Sequence, residues 1–257
     1  MSTLPAIGGA LAASARFLVP AWRGAFAALL LVILGLTLAI GARLGALGAG
    51  DADVWGFATT LLLLVARGAL WRLAMGVGRP GPGGLQLGVV EGRLLIVAAL
   101  RLLFLSVLGL LMFVLVLAVA FAAASSGHGF VVSQIATWAP AVDVRGRVLV
   151  TIVTLAGAAG IAWAALRISL AEAATVASAK VKLLESWPLT RGRVLAILIS
   201  SAVLAAPLLL LRAAAYTPLG AWAISAVGGL WIGGVWVPMS VGLMAYFYSI
   251  RVPPAQP

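Results

Sequence analysis

The sequence predicts an all-α fold: a polytopic membrane helix bundle with about six transmembrane helices. Of the 257 residues, 64% are hydrophobic and only 9% are charged, and long apolar stretches recur along the chain. Soluble globular proteins are about 45–50% apolar and about 25% charged, so a soluble domain could not cover its surface with so few charges. Disorder is excluded as well, because it requires low hydrophobicity and high charge.

Six stretches are long enough to cross a bilayer, which takes about 20 mostly apolar residues. Pro207 and Pro238 predict kinks in the last two stretches. Before the first stretch, residues 4–19 are expected to form a short helix in the membrane interface. We expect a single transmembrane domain over residues 1–257, with spans at about 24–42, 54–73, 94–124, 148–166, 194–211 and 219–248.

The basic residues indicate the orientation of the chain. When the loops are assigned alternately to two sides of a membrane, 13 of the 17 lysines and arginines fall on the side that holds both termini. Cytoplasmic loops carry such an excess, so both termini are expected in the cytoplasm. The net charge of +11 therefore indicates contact with anionic lipid headgroups on the cytoplasmic side, and not with nucleic acid.

An amphipathic cytoplasmic helix is predicted after the fourth span. We expect it to end at Trp187-Pro188, since proline disfavours helical geometry in the residue before it. Thr190 is then placed to cap the helix of the fifth span. The apolar stripe that predicts the amphipathic helix recurs every three or four residues and consists of Leu166, Leu170, Ala173, Ala177, Val181 and Leu184.

The segment Ser186-Trp187-Pro188-Leu189-Thr190-Arg191-Gly192-Arg193 stands just before the fifth span. It resembles the Ser-Trp-x-Leu-Thr-(Arg/Lys)-Gly signature of bacterial six-helix membrane proteins related to the membrane domain found beside glycerophosphodiester phosphodiesterases. Glu91-Gly92-Arg93-Leu94-Leu95, before the third span, is similar to the same family. The resemblance implies a six-helix protein of the bacterial inner membrane, and it implies no particular activity.

Few residues here are suited to catalysis or to holding a cofactor. The chain has no cysteine and one histidine, His128, which lies between glycines in a predicted outer loop. The three glutamates stand near basic residues and are expected to form ion pairs. Gly76-Val77-Gly78-Arg79-Pro80-Gly81 matches G-x-G-x-x-G, but it follows no strand, so a linker is expected. We expect no enzyme, no cofactor and no metal.

Charged residues at membrane depth are costly and mark candidate sites. Arg67 and Arg101 either extend to the inner headgroups, or line a cytoplasm-facing cavity, or bind lipid phosphate. Arg191 and Arg193 are further candidates for lipid phosphate. Gly229 and Gly233 form a GxxxG pattern, which lets helices approach closely, in a homodimer or within the chain.

Two functions agree with these patterns. The first is a non-catalytic integral membrane protein of the bacterial cytoplasmic membrane that acts as a scaffold, an assembly factor or a lipid-interacting module, with a protein partner or a homodimer left open. The alternative is a transporter or channel component with a cytoplasm-facing cavity.

Overall fold

The computed structural model describes residues 3–45, 51–125, 144–214 and 220–252. The described residues contain helices and no strand, so the predicted all-α bundle is confirmed. His128 lies outside the described residues. The seven helices are α1 Thr3–Arg43, α2 Asp51–Met75, α3 Val89–Ser125, α4 Val144–Arg167, α5 Ala171–Ser178, α6 Val194–Ala214 and α7 Ala221–Ser249.

The helices make this chain a multi-pass membrane protein. Five described segments are long and apolar enough to cross a membrane: Ala6–Arg43, Ala52–Met75, Pro82–Ala123, Val144–Ser178 and Ala221–Ser249. The fifth predicted span is the exception. Within α6 (Val194–Ala214), the part Val194–Leu210 qualifies as a span only together with the turns of Leu184–Thr190 before it, and the two are bent by 94°. Counting that bent pair as one span brings the total to six.

The helices group into two compact units. The second unit, Ala99–Leu166, contains most of α3 and α4. Within it Gly157 makes room for Met112, whose Sδ would lie 3.2 Å from a Cβ at that position. Its outward side chains are large and apolar, among them Leu102, Leu110 and Leu155, and lipid tails would cover them in a membrane.

The first unit comprises Met1–Ala98 and Arg167–Pro257, within the described ranges. At its centre α1 packs antiparallel to α7, and Gly229 and Gly233 lie in that contact. A Cβ at Gly233 would lie 2.9 Å from Cγ1 of Ile33, and one at Gly229 would lie 2.8 Å from the Ile33 carbonyl oxygen. The GxxxG pattern therefore serves a contact within the chain, one of the two uses that the sequence left open.

The short helix predicted over residues 4–19 is present but longer: it continues through Pro20 as the first part of α1, which is kinked at Ala25 before it runs on to Arg43. Its only non-helical backbone is at Ala25 (φ −131°, ψ 28°). Packing on α7 explains the continuity: the buried hydroxyl of Ser14 donates a 2.7 Å hydrogen bond to the Met239 carbonyl. Contacts of this kind outweigh the intrinsic helix-breaking tendency of a proline.

The kink at Ala25 is filled by the turn Pro82–Gly84, which follows α2. Gly84 has φ +83°, and a Cβ there would lie 2.7 Å from Cα of Ala25. Only glycine combines that backbone conformation with so close an approach. The loop after α2 is thereby packed against the backbone of α1.

Pro238 lies within α7, just after a π-helical segment, Leu230–Trp236. A proline has no N–H to give to the carbonyl four residues earlier, which is that of Gly234. The indole Nε1–H of Trp22 donates to that carbonyl at 2.9 Å. A side chain of α1 thus replaces the backbone donor that α7 lacks.

This arrangement predicts that Trp22→Phe destabilises the protein by about 1–2 kcal/mol, because a part-buried carbonyl loses its donor. In the Pro238→Ala background the same change should cost less, since alanine restores an N–H. Thermal unfolding of the four proteins in one detergent measures this coupling. Equal costs of Trp22→Phe in the two backgrounds would contradict the assignment.

Candidate functional site

Polar and charged side chains of the first unit concentrate where α2, α5 and α7 end and α3 and α6 begin. We call this region the basic end. It holds all three glutamates of the chain, and each of them is ion-paired, as the sequence indicated.

The most buried of the three pairs joins α2 to α3. Nη2 of Arg72 lies 2.7 Å from Oε2 of Glu91, and the two side chains are only 6% and 2% exposed. Glu91 stands in the first turn of α3, where the helix dipole favours a carboxylate. Gly68 leaves space for the Glu91 side chain, because a Cβ at position 68 would lie 2.7 Å from the carboxylate carbon of Glu91.

A second pair joins α2 to α5. Arg67 donates to Oε2 of Glu172 from Nη2 at 2.6 Å and from Nε at 3.1 Å. The buried Trp71 adds a third donor to the same oxygen at 2.8 Å. Arg67 and Glu172 also line a cavity of about 190 Å³, together with Thr60 and the side chains of α2 and α3 around it. Arg67 therefore lines a cavity, and Glu172 balances its charge.

Arg167, at the end of α4, packs against the segment that carries the family resemblance. Its guanidinium carbon lies 5.5 Å from the centre of the Trp187 ring, a cation–π distance. Its Nη1 donates to the Trp187 carbonyl and to the Thr190 hydroxyl, each at 3.4 Å. Ser186 and Thr190 are fully buried. Trp187 and Thr190 of this segment thus hold the loop against Arg167.

The predicted capping role of Thr190 is wrong. Its hydroxyl donates to the Trp187 carbonyl at 2.9 Å, and a 3-10 turn, Pro188–Thr190, precedes α6, which begins at Val194. Because α6 begins at Val194, its N-cap position falls on Arg193, three residues after Thr190.

The predicted amphipathic helix is correct only in its first part. α5 ends at Ser178, where Ala179 takes a left-handed conformation (φ +52°). The amide of Lys182 then donates to Oγ1 of Thr175 at 3.0 Å, which turns the chain back on α5. Consequently Leu170 and Ala173 are buried, whereas Ala177, Val181 and Leu184 are exposed and form no apolar stripe.

The third ion pair lies in this loop, at the surface. Nζ of Lys182 is 2.5 Å from Oε2 of Glu185, whose side chain is 66% exposed. The hydrogen bond to Glu185, then its negative charge, raise the pKa of Lys182 above the ordinary value of a lysine. The ammonium group is therefore charged at neutral pH, and the pair is a surface interaction of small energetic weight.

A cleft of about 840 Å³ opens at the basic end, within the first unit. Four helices surround it: α1, the last turns of α2 and α5, and the last turns of α7. Its lining is mostly apolar, with serine and tyrosine hydroxyls at the edges. The lining includes Phe17, Met75, Ala177, Ser178, Tyr246 and Ser249.

The remaining predicted arginines are distributed as follows. Arg191 is exposed, and its carbonyl accepts a 2.6 Å hydrogen bond from Nη2 of Arg251, while Arg193 is half-buried beside it. Arg101 belongs to the second unit, where it is half-buried on α3. Residues 76–81 form a turn and an extended segment after α2, as expected for a linker.

No protein-family model, no curated protein and no solved structure matches this chain. The relation to the membrane domain found beside glycerophosphodiester phosphodiesterases therefore stays a prediction from the segments quoted above.

The two kinds of ion pair predict different responses to the same substitution. Glu91→Gln leaves the Arg72 guanidinium buried without its counter-charge, which costs about 3–5 kcal/mol. Glu185→Gln removes a surface pair and should leave the stability unchanged. Thermal unfolding in one detergent measures both. A similar loss of Tm in the two variants would show that burial does not set the strength of these pairs.

Proposed function

We propose that this protein is a non-catalytic, lipid-interacting protein of the bacterial cytoplasmic membrane that contacts anionic headgroups at its basic end. One observation carries the proposal: all three glutamates at this end are used in ion pairs. Arg79, Lys180, Arg191 and Arg251 remain exposed there. Among the described residues they form a surplus of positive charge that anionic lipid can neutralise.

The magnitude of the effect is adequate for membrane recognition. Each basic residue near an anionic membrane surface contributes about 1 kcal/mol to the attraction. Several exposed cations at one end therefore suffice to enrich anionic lipid around it. The excess of lysine and arginine on the side that holds both termini supports a cytoplasmic position for this surface.

The absence of catalysis is part of the proposal. A general acid or base must be free to exchange a proton with a substrate. The glutamates of the basic end instead accept hydrogen bonds from arginine, lysine or tryptophan. This use of the carboxylates supports a structural and lipid-binding role, as a scaffold or an assembly module in the membrane.

One observation favours the alternative of a transporter or channel component: the cavity lined by Arg67 and Glu172. Carboxylates that line a cavity within a membrane are the groups from which proton pathways are built. Proteoliposomes with an entrapped pH-sensitive dye would test this. Proton flux above that of protein-free vesicles, lost in Glu172→Gln, would favour the alternative over the lipid-interacting module.

We expect the double substitution Arg191→Gln/Arg193→Gln to weaken the retention of anionic lipid. The protein is placed in bilayers of equal phosphatidylglycerol and phosphatidylcholine, and the bound lipid is identified by native mass spectrometry. Enrichment of phosphatidylglycerol should fall about fivefold per charge removed.

Arg43→Gln is the matched control, since Arg43 is an exposed arginine at the last turn of α1, away from the basic end. It should leave the enrichment unchanged. If the unmodified protein retains the two lipids in their bulk ratio, the proposed function is wrong.

A further inference from the structure

We infer that the cleft at the basic end holds the hydrocarbon chain of an amphipathic anion, with its charged head among Arg79, Lys180 and Arg251. The inference rests on the proposed function and narrows it to one site and one class of ligand. The ligand is a fatty acid or one chain of an anionic phospholipid, which share an alkyl chain and a negative head.

The size and shape of the cleft fit such a chain. Its volume of about 840 Å³ falls within the range of about 300–1,000 Å³ that is typical of small-molecule sites. It is walled by side chains of α1, α2, α5 and α7, so it is formed by packed helices and not by one loop. Such a site can bury a chain without a large rearrangement.

The lining suits hydrocarbon because the two serine hydroxyls in it are already satisfied. Ser178 donates to the Ala174 carbonyl at 2.7 Å, and Ser249 donates to the Tyr246 carbonyl at 2.9 Å. Both serines therefore use their protons within their own helices. The rest of the lining consists of apolar side chains, including Phe17, Met75 and Ala177, and of two tyrosines, Tyr246 and Tyr248.

Three cations stand close to the cleft lining along the chain. Arg79 lies two residues after Val77, Lys180 lies two residues after Ser178, and Arg251 directly precedes Val252; all three are exposed, and Arg251 also donates to the Arg191 carbonyl. The C-termini of α2, α5 and α7 lie there too, each equivalent to about −0.5 of a charge. Three full positive charges exceed that opposing charge about twofold, so an anionic head is favoured over a neutral one.

The full-length protein in nanodiscs can be tested with three probes that carry a diazirine on the alkyl chain: palmitate, phosphatidylglycerol and hexadecanol. After photolysis, digestion and mass spectrometry locate the labelled residues. We expect either anionic probe to label the cleft, for example at Met75 or Tyr246, with hexadecanol labelling it several-fold less. Labelling by palmitate alone assigns a fatty acid as the ligand, and labelling by phosphatidylglycerol assigns a phospholipid chain.

Two variants and one competition make the test specific. Ala177→Trp should fill the cleft and reduce labelling there about tenfold, whereas Ala158→Trp, on an exposed position of α4, should not. Arg79→Gln/Lys180→Gln/Arg251→Gln should reduce only the labelling by the anionic probes, about fivefold per charge. Excess unlabelled palmitate or phosphatidylglycerol, added before photolysis, should prevent labelling of the cleft in the unmodified protein. This competition does not depend on the folding of any variant.

Each outcome decides the matter. Labels confined to the apolar outer faces of α3 and α4, with none in the cleft, would overturn the inference while leaving the proposed lipid interaction standing. Equal labelling of the cleft by all three probes would overturn the role of the cations. A bulk ratio of bound lipids in the native mass spectra would instead overturn the proposed function itself.

Discussion

The basic end depends on two arginines of α2, each of which meets a glutamate in the first turn of another helix. Arg72 pairs with Glu91 of α3, and Arg67 pairs with Glu172 of α5. A buried charge without its partner is far more costly than the pair, so α3 cannot shift away from Arg72 without a large penalty, whereas the more exposed pair of Arg67 and Glu172 holds α5 less strongly. The positions of three helices follow from these two contacts.

The coarse architecture of this protein could be predicted from its sequence because it depends on local properties. Length and apolar content predict helices at the spans, and the shortage of charge indicates a membrane environment. The basic residues that stand near each glutamate in the sequence also indicated ion pairing. Which residues pair with each other could not be predicted, because Arg67 and Glu172 stand 105 residues apart and no local pattern links them.

The predictions that failed did so where packing between helices overrides local preference. Pro20 would end an isolated helix, yet α1 continues because Ser14 and Trp22 donate to carbonyls of α7 more than 200 residues away. The stripe after Leu166 has helical spacing, yet α5 stops at Ser178 because Thr175 accepts the amide of Lys182. In both cases no periodic pattern in the sequence reveals the hydrogen bond that determines the structure.

α5 connects the ion pairs to the cleft. Its first turn is fixed by Glu172 to Arg67 and Trp71 of α2, and its last turn supplies Ala177 and Ser178 to the cleft. A helix of eight residues is only about 12 Å long, so it moves as a rigid rod when either end moves. The pair between Glu172 and Arg67 therefore holds one end of the helix whose other end lines the cleft.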